Sequence, residues 1–341
     1  MELIWGIQFD DILLLLKQLG LAIAGAAALW GFVFSITDQK HSDKKAWIID
    51  DILSMKIFNL FLVGVVLASV SYYFLLPVIH GVAHEGISIP ASSEEIIATF
   101  PLTNILYVVL LVLSLLMVIL RSKNEERFSY LLTPFYALMF LVAFFMTSFS
   151  AWRGFIDDKQ IFHFMHGFHS IFTLGSVVVL DFIFVISSRS ELLKQHVYRL
   201  FPTISKVIWA GLSLDFLSVF LITDTFQFSE KFLFSQTVIS ILIINGVLLS
   251  GPIARKMIGS VESLNHKIQS RWRRIGNVAG SLSITSWMMI TVVDFLTDLS
   301  LSYGQLIIIY ITIFIFAFLG HTIFELIEQN RTPLTLSSEE M

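Results

Sequence analysis

Eight stretches of this chain run without a single Lys, Arg, Asp or Glu: residues 18–37, 57–84, 96–120, 128–152, 160–180, 232–254, 275–293 and 299–324. At about 1.5 Å per helical residue, runs of this length cover the roughly 30 Å of a bilayer's hydrocarbon core. A further stretch, 207–223, is of the same kind and is interrupted by Asp215. Hydrocarbon offers backbone N–H and C=O groups no partner, so such runs satisfy them internally, as helices. The expectation is an all-α polytopic membrane bundle of about nine transmembrane helices over residues 1–327, followed by a polar tail at 328–341.

Composition agrees. Hydrophobic residues make up 56% of the chain and charged residues 14%, with 32 Phe, whereas soluble domains are about a quarter charged. There is no cysteine, which excludes covalent haem attachment, iron–sulfur clusters and disulfides, and leaves His, Met and carboxylates to hold any metal or haem. The formal net charge is only −4 and no large basic block is present, so nucleic acid is not an expected partner. Phosphate-binding glycine loops, the zinc-protease His pair and a nucleophile elbow are absent. The first ten residues, MELIWGIQFD, contain no Lys or Arg and are therefore read as a retained end rather than a signal peptide.

Basic residues cluster in alternate connections. Lys40, Lys44, Lys45 and Lys56 fall in one, Arg121, Lys123 and Arg127 in the next of that side, then Arg189, Lys194, Arg199 and Lys206, then Arg255, Lys256, Lys267, Arg271, Arg273 and Arg274; Arg331 follows in the tail. The opposite side holds only Arg153, Lys159 and Lys231. Positive charge stays on the cytoplasmic side, which predicts an outside N-terminus and an inside C-terminus in a bacterial inner membrane. The basic connection 254–275 reads as a topology anchor or as a surface for anionic lipid.

On this topology five of the nine histidines gather at the outer face: His80 and His84 at the end of the second span, and His163, His166 and His169 at the start of the fifth. Imidazoles from two helices at one depth are what haem b requires, and three or four of them suit copper or zinc. Gly81 and Gly167 beside them leave room for a flat macrocycle. The same residues also read as interfacial histidines bonded to headgroups, water or a partner subunit.

Carboxylates inside spans form a second group. Asp294 is expected in the outer part of the membrane, Asp215 near its middle and Asp181 in the inner part, with His321 and Glu325 one turn apart near the inner end of the last span. An ionised acid in hydrocarbon is costly, so each is expected to be neutral, paired or turned toward a polar cavity. Together they suggest a stepped proton path; alternatively, each is capped locally and fastens helices together. Asp224 and Asp298 end spans on the outer side, as interface caps or as groups orienting ligating imidazoles. No Lys is expected inside a span, which argues against a retinal Schiff base.

Small residues in GLAIAGAA (20–27) and GNVAGS (276–281) are spaced for close helix packing. FSITD (34–38) recurs as FLITD (220–224) at the end of another span, which is the form an inverted repeat takes.

The segments HGFHSIFTLGSVV (166–178), KVIWAGLSLDFLSVFL (206–221) and SYGQLIIIYITIFIFAFLGH (302–321) resemble helices of the bacterial copper-resistance D-type and related uncharacterised His-containing inner-membrane families. They share a His followed by a small-residue turn, and a Tyr-Gly pair leading into a final apolar helix. Tyr310 stands about where that family usually has a Lys. The resemblance implies a multi-span fold that binds metal or haem.

The preferred expectation is a membrane electron-transfer protein holding a His-ligated haem b, or another metal, near its outer face. Such a protein acts beside a quinone and as a subunit of a larger complex. The alternatives are a proton-coupled transporter or channel using the intramembrane carboxylates, and a structural or assembly subunit without cofactor.

Overall fold

In a computed structural model, the described residues are 9–38, 44–85, 91–122, 129–148, 170–187, 191–222, 229–262, 266–295 and 301–330. Among them there is no strand. Helices α1 (Phe9–Asp38), α2 (Lys44–Glu85), α3 (Ala91–Ser122) and α4 (Ser129–Ser148) come first. A π-helical turn, Ile171–Gly175, leads into α5 (Ser176–Ile186), which is followed by α6 (Glu191–Ile222). Helix α7 (Glu230–Leu248) passes through a second π turn, Leu249–Ile253, into α8 (Ala254–Glu262), and α9 (His266–Phe295) and α10 (Tyr303–Asn330) complete the order.

Among the described residues, six helical segments are long and apolar enough to cross a membrane: Phe9–Ile36, Leu53–Leu76, Leu102–Arg121, Glu230–Ser260, Ser270–Val293 and Tyr303–Ile327. Leu132–Thr147 and Ile171–Ile186 are shorter apolar helices. The all-helical, multi-pass character expected from the uncharged runs is thus present, and large apolar side chains face outward along it, as contact with lipid tails allows.

The helices extend past the uncharged runs. Lys17 lies inside the first crossing segment, against the expectation that no Lys enters a span. Helix α9 starts at His266 instead of at 275, and α6 starts at Glu191 and so takes in Lys194, Arg199 and Lys206. Lys, Arg and Glu are good helix formers, and long cationic side chains reach back toward a polar surface, so a charge ends an apolar run without ending the helix.

Contacts divide the chain into two compact units, Met1–Ser176 with Ala210–Thr225, and Val177–Trp209 with Phe226–Met341. In the first, α1 is the central helix. Ala22, Ala24, Ala26, Ala27 and Ala28 are fully buried. A Cβ on Gly20 would come within 2.5 Å of the Ala68 nitrogen, and one on Gly64 within 2.6 Å of the Ala24 nitrogen. The backbones of α1 and α2 therefore touch through reciprocal glycines, as the GLAIAGAA spacing leads one to expect. Trp30 Nε1 donates to Ser176 Oγ at 3.1 Å.

In the second unit α9 is central, packed by α7, α8 and α10. Asn245 of α7 donates to the carbonyl of Ala279 on α9 at 2.8 Å. Ser286 of α9 meets the Tyr310 hydroxyl of α10 at 2.8 Å. Helix α10 sorts its residues in the sense opposite to a soluble protein. Ile308 and Phe316 are 67% and 70% exposed, while Tyr310, His321 and Glu325, with Leu306, form the buried side. Tyr310, His321 and Glu325 thus face the unit's interior, while Gln305 and Thr312 lie exposed.

Candidate functional site

That buried side of α10 carries the site. His321 and Glu325, one helical turn apart, are both 7% exposed. They meet Asp181 and Phe184 of α5 and Arg273 and Asn277 of α9, all residues of the second unit.

Helix α5 reaches α9 because α9 has glycine where the two touch. A Cβ on Gly280 would lie 2.7 Å from Asp181 Oδ1, and one on Gly276 would lie 3.1 Å from the Phe184 ring. Asp181 and Phe184, and Gly280 and Gly276, are each about one turn apart on their own helix, so the two pairs form successive steps of an antiparallel contact. The GNVAGS segment is read in sequence as packing alone; here its small residues bring a carboxylate onto the helix backbone.

Asp181 Oδ2 lies 3.2 Å from His321 Nδ1. With the carboxylate ionised, Nδ1–H donates to it. Beside this pair stands a second. Arg273 of α9 is buried at 6% exposure; its Nε donates to Glu325 Oε1, one terminal nitrogen to the Tyr198 hydroxyl of α6 at 3.3 Å, and the other to the Phe184 carbonyl at 3.3 Å. The guanidinium also lies over the Phe184 ring, 4.9 Å from its centroid. Asn277 Nδ2 donates to the other Glu325 oxygen, Oε2. A buried charge is tolerated when it is both paired and hydrogen-bonded, and Arg273 and Glu325 each meet that condition.

Polar atoms remain over. Asp181 Oδ1, Asn277 Oδ1, Ser281 Oγ, Thr285 Oγ1 and His321 Nε2 are buried with no hydrogen-bond partner among the described residues. Asn277, Ser281 and Thr285 follow one another at four-residue intervals on α9, which sets them along one stripe of that helix.

Of the residues singled out from sequence, Asp181, His321 and Glu325 are brought together. The side chains of Asp215 and Asp294 lie outside the described residues, although their backbones belong to α6 and α9. The same holds for His80 and His84 on α2, while His163, His166, His169, Asp224 and Asp298 lie wholly outside them. The second copy of the suspected repeat is only partly described, since residues 223 and 224 lie outside. Among the described residues no three His, Asp or Glu side chains are grouped to hold a metal ion.

Arg273 is the residue the sequence reading assigns to the wrong environment. It stands there as one of six basic residues in a connection, yet within α9 it is buried, whereas Arg271 and Arg274 beside it are exposed. The usable signal is periodic: Arg273, Asn277, Ser281 and Thr285 recur every four residues, a polar stripe along one face of the helix. The neighbouring Lys267, Ser270, Arg271, Arg274 and Ile275 instead line an open groove of about 500 Å³.

Fold and site together define a class: a multi-pass helical membrane protein with a paired, charged cluster buried inside one of its units. Comparison with protein-family models, with curated proteins and with solved structures finds no match to the chain.

Proposed function

We propose that the protein is a proton-coupled transporter or channel whose exchanging groups are Asp181 and His321. The observation that supports this most directly is their direct contact, Nδ1 to Oδ2 at 3.2 Å, held in a membrane-length helical unit beside the separately paired Arg273 and Glu325. Ionisable residues inside membrane segments are expensive to keep and mark ion and proton pathways. His changes charge near neutral pH, and a carboxylate partner gives its proton a defined acceptor.

The reading extends to topology. We read nine spans by adding α4, the π turn with α5, and α6 to the six long apolar segments, with the N-terminus outside and the C-terminus inside a bacterial cytoplasmic membrane; the alternation of basic residues along the sequence supports that orientation. From sequence alone, Asp215 and Asp294 are the further carboxylates assigned to the proton path.

Reconstitution into liposomes carrying a pH-sensitive dye tests the proposal. The wild type is expected to dissipate an imposed pH gradient faster than empty liposomes, while Asp181→Asn and His321→Gln fall to the empty-liposome rate and Asp215→Asn is slowed. Rates in the first two variants equal to wild type would exclude the assignment.

A second reading keeps the outer histidines as ligands of haem b, or of copper or zinc, in an electron-transfer subunit working beside a quinone. It is supported by the sequence clustering of His80, His84, His163, His166 and His169 and by the likeness to the copper-resistance D-type family. Purified protein would then show a Soret band that disappears in the His80→Ala, His166→Ala double variant.

A further inference from the structure

We propose that the groove at the start of α9 seats the headgroup of an anionic phospholipid, held by Arg271 and Arg274. None of its lining residues belongs to the cluster of Asp181, His321, Arg273 and Glu325, so the proposal is independent of the transport reading.

The first ground is charge. Three arginines fall within one turn of α9, at 271, 273 and 274. Arg273 turns inward and is paired with Glu325. Arg271 and Arg274 are exposed, and neither has a hydrogen-bond or ion-pair partner among the described residues. Both guanidinium groups keep their charge at any physiological pH. With Lys267 they stand at positions i, i+4 and i+7, which is one face of the helix, and with Ser270 and Ile275 they line the open groove of about 500 Å³. Among the described residues no carboxylate lines it. Arg255 and Lys256 of α8, which packs against α9, are exposed as well. Only residues 263–265 separate the two helices in the chain, so these cations belong to the same end of the unit.

The second ground is depth. The apolar segment Ser270–Val293 has 24 residues, about 36 Å of helix against roughly 30 Å of hydrocarbon. Its opening turn therefore reaches the headgroup layer, and that turn carries Arg271. The Arg274 side chain leans toward the start of the helix and is long enough to reach the same layer. Trp272, half-buried next to Arg271, is of a residue type that settles at this depth.

The third ground separates a lipid from a soluble anion. Beyond the arginines the same face turns apolar: Ile275 lines the groove, and Val278, one turn on from Arg274, is 43% exposed. A phosphodiester with acyl chains attached matches the cations with its head and the apolar side chains with its tails, whereas a free anion matches only the cations. Guanidinium groups also suit phosphate oxygens through paired N–H donors, and basic sites at a membrane boundary recognise anionic headgroups in this way.

The test places full-length protein in phosphatidylcholine vesicles at about 0.15 M salt, where charges farther than about 8 Å are largely screened. The vesicles carry a small fraction of either phosphatidylglycerol or phosphatidylcholine brominated on its acyl chains. Bromine quenches nearby tryptophan, and the difference between each protein and its Trp272→Phe form isolates the ring within one turn of both arginines. The expected result is stronger quenching of Trp272 by the brominated phosphatidylglycerol. Arg271→Gln combined with Arg274→Gln should lower the ratio of the two lipids' association constants about tenfold or more, since each cation near an anionic headgroup contributes about fivefold. Helical circular dichroism should be unchanged. Arg199→Gln, exposed on α6 and outside the groove lining, should keep the wild-type preference.

Equal quenching by the two lipids, or a preference that survives the double substitution, would overturn the proposal and leave the cations to an acidic segment of a protein partner. An equal loss in Arg199→Gln would overturn it too, because diffuse surface charge would then be the cause. So would displacement of the brominated phosphatidylglycerol by inorganic phosphate, which would make the groove a site for a soluble anion.

Discussion

His321 Nδ1 and Asp181 Oδ2 stand 3.2 Å apart although 140 residues separate them in the chain. The contact exists because α9 offers Gly280 where the carboxylate lies, so that α5 and α10 both reach the same part of the unit's interior. His321→Ala removes the partner of a largely buried carboxylate, which is expected to cost about 1–3 kcal/mol. His321→Gln, which retains a donor, should recover part of that loss. Unfolding in mixed detergent and SDS micelles, followed by circular dichroism, measures both.

Arg273 and Glu325 are expected to be coupled energetically. Either Arg273→Gln or Glu325→Gln leaves a buried charge alone, and such a break costs about 3–5 kcal/mol. The double substitution removes both charges and should be less destabilising than the two single losses added together. The double-mutant cycle supplies the measurement, and additive losses would mean that the two groups do not act as a pair.

Gly280 separates site geometry from overall stability. A methyl group placed there would meet Asp181 Oδ1 at 2.7 Å, and the atom it meets is the end of a side chain that can turn aside. Gly280→Ala is therefore expected to leave the protein folded and to slow proton flux by disturbing the Asp181 contact. Gly320→Ala, next to His321 on the outward side of α10 with nothing within 4 Å of the added atom, should leave flux unchanged.

Gly64 provides the contrast. There the added carbon would meet backbone, the Ala24 nitrogen at 2.6 Å and the Gly20 oxygen at 2.8 Å, and backbone does not yield. Gly64→Ala should separate α1 from α2 at a cost of about 1–3 kcal/mol, visible as a lowered melting temperature in detergent.

Much of the architecture was legible because the solvent sets the rule. A helix meant for lipid must keep charge out over a fixed length, and runs such as 57–84 and 299–324 record that directly. The spacing of small residues in GLAIAGAA likewise announces a close contact, which α1 makes with α2. Helix ends were less legible. Charges stop an apolar run but not a helix, so Lys17 and Arg273 fall within crossing segments.

The site was legible in its residues and not in its pairings. Asp181, His321 and Glu325 stand out as ionisable groups in apolar surroundings, and the one-turn spacing of His321 and Glu325 places them on one face. Nothing in sequence says that Asp181 takes His321 while Glu325 takes Arg273, or that Asn277 braces the second pair.

The amino-acid order alone determined that this chain is helical and built to meet lipid, because hydropathy and backbone satisfaction act residue by residue along the chain. Only the tertiary structure decided which buried charges neutralise one another and which oxygens remain over. Those outcomes depend on where separate helices touch, and here the touching points are set by two glycines of α9, Gly276 and Gly280, that let α5 come close.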